Sequence, residues 1–295
     1  MVRRGSSILV IGIGFFGLLL SGCGGCGPLG GPTMNVGEEC CFEQIASGSA
    51  NSCAIDDGGQ ISCWGFEGSG VTDVPSGNFD DIALQSMQAC AIDDGGEIDC
   101  WGETEGSPPE GTFTALTVGC AIDADGAIEC RDDTDESTLP EGEFTAISGG
   151  CAIETDGSLQ CWGDGDGPPD LDDVQDVDGS AASGCAIDGS GTIECWGENY
   201  YGLSNPPDGS YSDLSISIYH ACAVSDSGDI DCWGMEDIDD EPVDVEFEQH
   251  LPDEHLDSEA SFSAVSAGQN HTCALDTDGY IHCWGDNSEG AVSPP

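Results

Sequence analysis

The chain of 295 residues contains no lysine and only three arginines, two of which lie within its first four positions. Against these stand 58 aspartate and glutamate residues, which bring the formal net charge to −55. Proteins meet nucleic-acid phosphates with lysine and arginine, and anionic lipid surfaces attract clusters of the same residues. The composition therefore excludes nucleic-acid binding and adsorption to an anionic lipid surface.

Long hydrophobic runs are also scarce, and the one at residues 8–20 is too short for a comfortable membrane span. It follows Arg3 and Arg4 and ends in Leu20-Ser-Gly-Cys23, which matches a bacterial lipobox. We expect residues 1–22 to be a lipoprotein signal peptide and Cys23 to be the lipidated first residue after cleavage. The alternative is an ordinary secretory signal with a chance cysteine. Cleavage would leave one arginine against 58 acidic residues, a formal charge of −57.

Residues 23–41 are rich in glycine and show no apolar period, so we expect a flexible tether. Gly24, rather than Asp, after the lipidated cysteine favours the outer membrane by analogy with diderm bacteria. The predicted location is the bacterial cell envelope, lipid-anchored and facing the periplasm or the exterior.

Cysteine is abundant, with 18 in the chain, and 14 of these stand in pairs ten positions apart. The pairs are Cys53/Cys63, Cys90/Cys100, Cys120/Cys130, Cys151/Cys161, Cys185/Cys195, Cys222/Cys232 and Cys273/Cys283. Each pair lies in a similar sequence motif, which consists of Cys-Ala, an acidic residue, a glycine turn and the second cysteine. A unit repeated in this way cannot bury its apolar residues alone, so its copies must pack on one another.

The spacing within a pair predicts a hairpin. Pairing Cys53 with Cys63 leaves 57–59 as a three-residue loop, a length that favours a type I turn closed by a left-handed glycine. Opposed cysteines on antiparallel strands have Cα atoms about 4.5 to 5.5 Å apart, within reach of a disulfide. Export would preserve such bonds. Buried free thiols and, less favourably, zinc ligation are the alternatives.

Each copy offers three short apolar segments separated by Gly, Asp and Pro, which predicts three or four short strands. Seven such sheets arranged radially form a β-propeller, and the chain stops where the next copy would begin. We therefore predict an all-β fold over residues 42–295: a closed seven-bladed β-propeller of short antiparallel sheets, with one disulfide-stapled hairpin per blade.

The seventh copy reads Gly268-Gln-Asn-His-Thr-Cys-Ala-Leu275, followed by Asp278-Gly-Tyr-Ile-His-Cys-Trp-Gly-Asp-Asn287. This string resembles the regulator of chromosome condensation repeat, and more closely its bacterial exported branch with paired cysteines. The resemblance covers about residues 42 to 293 and implies a seven-bladed propeller. The chromatin and nucleotide-exchange roles of the eukaryotic namesake do not carry over, because neither the charge nor the expected compartment fits them.

Three cysteines remain, Cys26, Cys40 and Cys41, and their pairing cannot be deduced from the sequence. Three hairpins, at 123–126, 154–157 and 276–279, resemble the first half of a calcium loop. Asp-Gly is also ordinary turn chemistry, so plain turns and weak Ca²⁺ sites both stay open.

The copies differ most at residues 235–260, an insertion that holds 12 acidic residues together with His250 and His255. A disordered acidic loop and an ordered docking element are its two interpretations. In the third copy Arg131 replaces the tryptophan of the other six, for which we favour an ion pair over a partner-facing notch. His220 and His271 occupy matching positions, which indicates structural hydrogen bonding.

Catalytic motifs are missing: the sequence has no Ser-His-acid signature, phosphate-binding loop or metalloprotease pair. We predict no enzyme activity, no cofactor, no catalytic residue and no dedicated metal ligand. The functional hypothesis is an extracytoplasmic protein-binding or surface-display module with an unidentified protein partner. The alternatives are a Ca²⁺-stabilised structural surface protein and a two-carboxylate hydrolase with an acidic central channel.

Overall fold

The computed structural model describes residues 41–104, 106–131, 139–163, 167–179, 182–199, 201–234 and 260–295. Within them the chain forms 21 strands and one short 3-10 helix, Glu67–Ser69. The predicted signal peptide, Cys23, Cys26, Cys40 and the insertion residues 235–259 lie outside the described residues.

The strands fall into seven consecutive triplets. The first strands are β1 (Phe42–Ser47), β4 (Phe79–Gln85), β7 (Phe113–Leu116), β10 (Phe144–Ser148), β13 (Val174–Gly179), β16 (Tyr211–Ile216) and β19 (Phe262–Ala267). The second strands are β2 (Asn51–Asp56), β5 (Gln88–Asp93), β8 (Cys120–Asp123), β11 (Cys151–Glu154), β14 (Ser183–Asp188), β17 (His220–Ser225) and β20 (His271–Asp276). The third strands are β3 (Ile61–Gly65), β6 (Ile98–Gly102), β9 (Ile128–Cys130), β12 (Leu159–Cys161), β15 (Ile193–Gly197), β18 (Ile230–Gly234) and β21 (Ile281–Gly285).

Each triplet is one antiparallel sheet, or blade, and the blades are numbered 1 to 7 along the chain. Neighbouring blades pack side by side, and β1 of blade 1 packs on β19 and β20 of blade 7, which closes the ring. The predicted all-β, seven-bladed propeller is confirmed, with three strands in every blade.

One hydrogen bond joins every blade to the next through its hairpin glycine. The left-handed glycine of the turn between second and third strands accepts from the first backbone N–H of the following blade. The donor–acceptor pairs are Phe79–Gly59, Phe113–Gly96, Phe144–Gly126, Val174–Gly157, Tyr211–Gly191, Phe262–Gly228 and, across the closure, Phe42–Gly279, at 2.8–3.0 Å. The Gly59 φ of 78° confirms the predicted left-handed glycine. The turn thus shapes the hairpin and docks the next blade.

The ten-apart cysteines are directly opposed and bonded to each other in all seven hairpins. The bonds are Cys53–Cys63, Cys90–Cys100, Cys120–Cys130, Cys151–Cys161, Cys185–Cys195, Cys222–Cys232 and Cys273–Cys283. The Cα atoms are 4.0–4.1 Å apart, somewhat closer than the separation expected for opposed strands. The predicted disulfide-stapled hairpin in every blade is confirmed, and the free-thiol alternative is wrong. Cys41 is disulfide-bonded as well.

The hydrophobic core is divided into clusters that lie between blades. In one of them Phe79, Ile82 and Trp101 of blade 2 pack against Cys53 and Ile55 of blade 1. Burying a large apolar side chain contributes about 1.5–3 kcal/mol, so the clusters make each blade depend on its neighbours. This agrees with the expectation that one copy cannot fold alone.

The recurrence of tryptophan at one position in six copies also has a structural explanation. Each indole N–H of Trp64, Trp101 and Trp233 donates, at 2.7–2.8 Å, to a backbone carbonyl in the loop that leaves the preceding blade. The Trp64 bond reaches Ala291 and is part of the ring closure. These tryptophans are therefore anchors between blades.

Candidate functional site: the central channel and the two faces of the propeller

The first strands of the seven blades surround a central channel with a volume of about 540 Å³. Its wall alternates between aliphatic residues, such as Ile45 and Ile147, and small polar residues, such as Ser148, Ser215 and Ser266. A cavity of this size is typical of a ligand site or of a recess that receives a partner's side chain.

The fourteen paired cysteines, which the sequence singled out as site residues, do not line this channel. Their first members are buried on the second strands: Cys53, Cys90, Cys120, Cys151, Cys185, Cys222 and Cys273. Their second members are only half-buried: Cys63, Cys100, Cys130, Cys161, Cys195, Cys232 and Cys283. The difference arises because each third strand is the outer edge of its sheet and has a strand on one side only. The disulfides therefore belong to the scaffold, not to the channel.

The two faces of the propeller differ in charge, because two different sets of turns form them. Turns between first and second strands lie at one end of each blade, and turns between second and third strands lie at the other. Backbone hydrogen bonds join equivalent turns of neighbouring blades, as in Ser49 N–H to Ser86 O (2.9 Å) and Gln269 N–H to Gly48 O (3.1 Å). The turns between first and second strands therefore lie on the same face of the propeller in all blades.

The turns around the channel form what we name the neutral ring: residues 48–50, 86–87, 117–119, 149–150, 217–219 and 268–270. None of these residues is charged, and the corresponding turn of blade 5, at 180–182, is uncharged in sequence as well. In a chain with 58 acidic residues this is a marked local depletion of charge.

The turns at the opposite end form the acidic face: residues 56–60, 93–97, 123–127, 154–158, 188–192, 225–229 and 276–280. Every one of them carries at least one aspartate or glutamate. Among the described residues, two large hydrophobic side chains are exposed: Ile218 (62%) in the neutral ring and Tyr280 (43%) on the acidic face.

Three buried aspartates connect the inner strands of neighbouring blades. Each first strand contains a bulge after its opening residue, and Asp81, Asp176 and Asp213 occupy the same place in it. Their Oδ2 atoms accept backbone N–H groups of the following blade: Asp81 from Leu116 (3.3 Å), Asp176 from Leu214 (3.0 Å) and Asp213 from Val265 (2.7 Å). Carboxylates here replace the ladder bonds that adjacent sheets cannot form.

A second set of side-chain acceptors lies two residues further along these strands. Asp178 accepts the Ile216 N–H (2.8 Å), Ser215 accepts the Ala267 N–H (3.0 Å), and Ser266 accepts the Ser47 N–H (2.8 Å). Asp178 also accepts the Ser148 hydroxyl at 2.6 Å. Blades 4, 5, 6, 7 and 1 are joined in succession by these contacts.

Burial changes the acidity of this arc. Desolvation, together with the charge of Asp178, raises the pKa of Asp176 to about 7, while the N–H groups of Leu214 and Val177 oppose the shift. Desolvation also raises the pKa of Asp178, and desolvation and the Asp176 charge raise the pKa of Asp213 well above its usual range. The channel wall therefore contains carboxyl groups that ionise less readily than exposed aspartates do.

The turns that resembled calcium loops use their acidic residues within the hairpin. Asp123 Oδ1 accepts the N–H groups of Asp125 (2.9 Å) and Ala127 (2.8 Å), and Asp276 Oδ1 accepts those of Asp278 (3.0 Å) and Tyr280 (2.9 Å). In the described part of the chain, no cluster of three His, Cys, Asp or Glu residues is arranged to hold a metal ion. These contacts favour the plain-turn interpretation.

The buried histidines form matching contacts between blades. His220 Nε2 lies 2.7 Å from Thr272 Oγ1 of blade 7, and His271 Nε2 lies 2.8 Å from Ser52 Oγ of blade 1. The structural role expected for both is confirmed. His250 and His255 lie outside the described residues.

Arg131 donates from Nη1 to Gln88 Oε1 of the preceding blade at 3.3 Å. It extends toward the preceding blade from the position that tryptophan holds in the other copies. The ion pair that we favoured from the sequence stays a prediction.

Sequence reasoning missed the buried aspartates of the inner strands. The signal is present when the copies are compared: Asp81, Asp176 and Asp213 stand two residues after the opening aromatic or valine and directly before an aliphatic residue. An acidic residue between two core positions of a strand is expensive to bury without partners. Its recurrence in three copies indicates a shared backbone partner.

The regulator of chromosome condensation (RCC1) repeat matches residues 262–291, which is the seventh copy. The match confirms the resemblance to this repeat that was noted from the sequence of the seventh copy. The other six blades have the same strand order as the seventh. No curated protein matches the chain in sequence.

Two solved structures are similar to this RCC1-repeat chain in fold. The CRINKLY WD40 ectodomain of the Arabidopsis thaliana receptor kinase ACR4 has a TM-score of 0.66 at 17% identity, covering 87% of this chain and 100% of that one. The entire ectodomain of the Physcomitrella patens receptor kinase CR4 has a TM-score of 0.66 at 20% identity, covering 84% of this chain and 74% of that one. At these identities the likeness concerns the fold. The part of the chain that the structure describes contains no candidate for a membrane-spanning helix.

Proposed function

We propose that this RCC1-repeat propeller is a lipid-anchored, extracytoplasmic binding module that docks a partner protein on its neutral ring and performs no catalysis. The observation that carries the proposal is the contrast between the two faces of the propeller. On one face uncharged turns surround the channel, and on the other every hairpin turn carries an acidic residue.

The physical argument starts from the net charge. A protein of formal charge −55 repels most other acidic proteins, and repulsion is weakest where its surface lacks carboxylates. The neutral ring offers such a surface around a recess of about 540 Å³. Ile218 supplies an apolar anchor there, and turns fixed on a rigid scaffold lose little entropy on binding.

Location outside the cytosol is supported by independent features. Seven structural disulfides persist in oxidising compartments and are rare in the cytosol. The two structural neighbours are receptor ectodomains. The lipobox at Leu20–Cys23 then provides the anchor, and acylation with more than one chain would hold the protein firmly at a membrane.

A hydrolase site in the channel is not favoured by the geometry. The carboxyl groups of Asp176, Asp178 and Asp213 are engaged with backbone N–H groups and hydroxyls of neighbouring blades. A general acid or nucleophile must instead be directed toward substrate. We assign these groups to the scaffold.

The test uses the chain from Gly24 onward, exported behind an ordinary secretory signal in place of residues 1–23, which we expect to be released from membranes into the soluble fraction. Retention in the membrane fraction would contradict the lipid anchor. The released protein serves as bait for surface proteins of its own source, and bound partners are identified and measured by interferometry.

A matched pair of variants then locates the docking face. We expect Ile218→Glu, in the neutral ring, to weaken binding at least about tenfold, since it places a charge and removes an apolar anchor at the contact. Tyr280→Glu, the control on the acidic face, should bind like the parent. Equal binding by Ile218→Glu, or loss only with Tyr280→Glu, would refute the assignment of the neutral ring.

A further inference from the structure

Asp176, Asp178 and Asp213 form a continuous group, which we name the carboxyl arc. Asp176 and Asp178 lie on β13 and Asp213 on the neighbouring β16, and the three interact electrostatically. Their acceptor contacts reach β10, β16 and β19. The inner strands of four successive blades, 4 to 7, are therefore linked through three carboxyl groups.

No lysine or arginine lies on the described strands packed against the arc. The single arginine beyond residue 4, Arg131, lies in blade 3 and contacts Gln88 of blade 2. The other titratable groups on the strands of the arc and on those packed against it are Tyr211 of β16, Glu154 of β11, Asp188 of β14, His220 of β17, and His271 and Asp276 of β20; β10 and β19 carry none. Both histidines are hydrogen-bonded to hydroxyl groups between blades.

The protonation state of the arc therefore decides how well it holds the strands together. A neutral carboxyl group still accepts an N–H bond and adds no repulsion. Three ionised groups in a buried wall repel one another, and each also loses its hydration. Two N–H donors to Asp176 and one to Asp213 offset only part of that cost.

We propose that the carboxyl arc is a proton-dependent latch between blades 5, 6 and 7. While the arc retains protons, it holds β13, β16 and β19 together along the channel. When the arc ionises fully, those contacts loosen, and the turn 217–219 that follows β16 in the neutral ring gains freedom. The latch is independent of which partner, if any, binds the ring.

Amide hydrogen exchange, followed by NMR on the full soluble chain, measures how well the latch protects the N–H groups that it binds. The informative amides are those of Leu214, Ile216 and Val265, which donate to the arc. We expect their protection factors, corrected for intrinsic exchange, to fall about tenfold between pH 5.5 and pH 8, since pH 8 lies about one unit above the pKa of about 7 of Asp176.

Amides at the same two blade boundaries provide the internal reference. Tyr211 and Phe262 donate to the hairpin carbonyls of Gly191 and Gly228 and do not contact the arc. Their protection should change by less than about twofold. An equal loss at these reference amides would mean general destabilisation by net charge and would overturn the latch, as would unchanged protection at the arc amides.

Asp178→Asn is the decisive variant, because an asparagine amide can accept from Ile216 N–H and donate to the Ser148 hydroxyl. We expect it to reduce the pH-dependent loss of protection at Ile216 and Leu214. Asp80→Asn, an exposed position on β4, removes the same charge and should leave the loss as in the parent. A parent-like loss in Asp178→Asn would contradict the proposal.

A second measurement needs no substitution, so it tests the proposal even if the Asp178→Asn variant does not fold. In the parent protein, ¹³C chemical shifts of the side-chain carboxyl carbons give a titration midpoint for each aspartate of the arc. Midpoints well above the ordinary range for Asp176 and Asp213 support the latch. Ordinary midpoints of about 4 for all three would overturn it.

Discussion

At the scale of single residues, the side chains that matter most complete the hydrogen bonds of their neighbours' backbones. Each first strand is the inner edge of its sheet and has N–H groups that no ladder satisfies, and Asp81, Asp176 and Asp213 accept three of them. Unpaired buried N–H groups are costly, so acidic residues are tolerated in the core at these positions. Without these N–H partners, the cost of burying an acidic side chain would exclude aspartate from these positions.

Trp101→Phe tests a contact of the same kind. The substitution removes an indole N–H that lies 2.7 Å from the carbonyl of Val71, a fully buried residue, and leaves that oxygen without this donor. We expect the free energy of unfolding to fall by about 1–3 kcal/mol, the cost of an unsatisfied buried group. Denaturation by urea under non-reducing conditions measures it.

Trp162→Phe is the matched control, because Trp162 is half-buried. Its effect on the free energy of unfolding should be clearly smaller. Equal effects of the two substitutions would mean that aromatic area, rather than the bond to Val71, makes Trp101 important.

At the scale of the element, the hairpin between second and third strands unites three roles. Its aspartate accepts the N–H groups of the turn, its glycine adopts a left-handed conformation, and the glycine carbonyl binds the next blade. The Asp-Gly pattern indicated a turn from the sequence. The docking role could not be seen there, because its partner lies on the next repeat.

Gly126→Ala tests this docking role. A Cβ atom at this position, with φ of 88°, would lie 3.2 Å from Glu143 Cα and 3.3 Å from Phe144 N, at the bond to blade 4. We expect the free energy of unfolding to fall by about 1–3 kcal/mol through backbone strain, with further loss from the contact. Thermal and chemical denaturation both report it.

Gly163→Ala separates strain from contact. Its φ is 96°, and a Cβ atom there meets no atom of the described residues within 4 Å. This substitution should therefore cost less than Gly126→Ala. A difference of zero would show that the approach of the next blade does not constrain the hairpin glycine.

At the scale of the whole molecule, stability should depend on pH in the opposite sense to that of proteins with paired carboxylates. The pKa of Asp176 is raised to about 7, so the folded chain binds a proton that the unfolded chain has lost above about pH 4. This contribution to stability is complete below the unfolded pKa and is lost as the pH rises through the folded pKa. We expect the Tm to be higher at pH 5 than at pH 8.

Ionic strength distinguishes whether the pH dependence of the Tm arises from surface charge or from the buried aspartates. The surface charge behind a formal −55 is screened at 1 M salt, where the Debye length is about 3 Å, whereas buried groups are screened much less. The Tm should rise with salt at both pH values while a difference between them persists. A difference that vanishes at 1 M salt would place the effect on the surface.

Much of the fold could be predicted because it follows from local spacing. Two cysteines ten positions apart, a glycine turn between them and a strand on each side allow one hairpin register, as with Cys53 and Cys63. Seven copies of a unit that cannot bury its own face require a ring or a solenoid, and the family resemblance supports the ring. Repetition makes such inferences reliable, because the same hairpin pattern has to fit all seven copies.

The sequence by itself determined the seven hairpins, their cysteine pairs and the acidity of the chain, because each depends on composition or on neighbours within about 20 residues. Only the tertiary structure decided that the uncharged turns lie together around the channel and the acidic turns on the opposite face of the propeller. It also decided that Asp176, Asp178 and Asp213 meet in one wall. Such groupings arise from contacts between different repeats, where blade order and strand direction, rather than local spacing, set the distance between side chains.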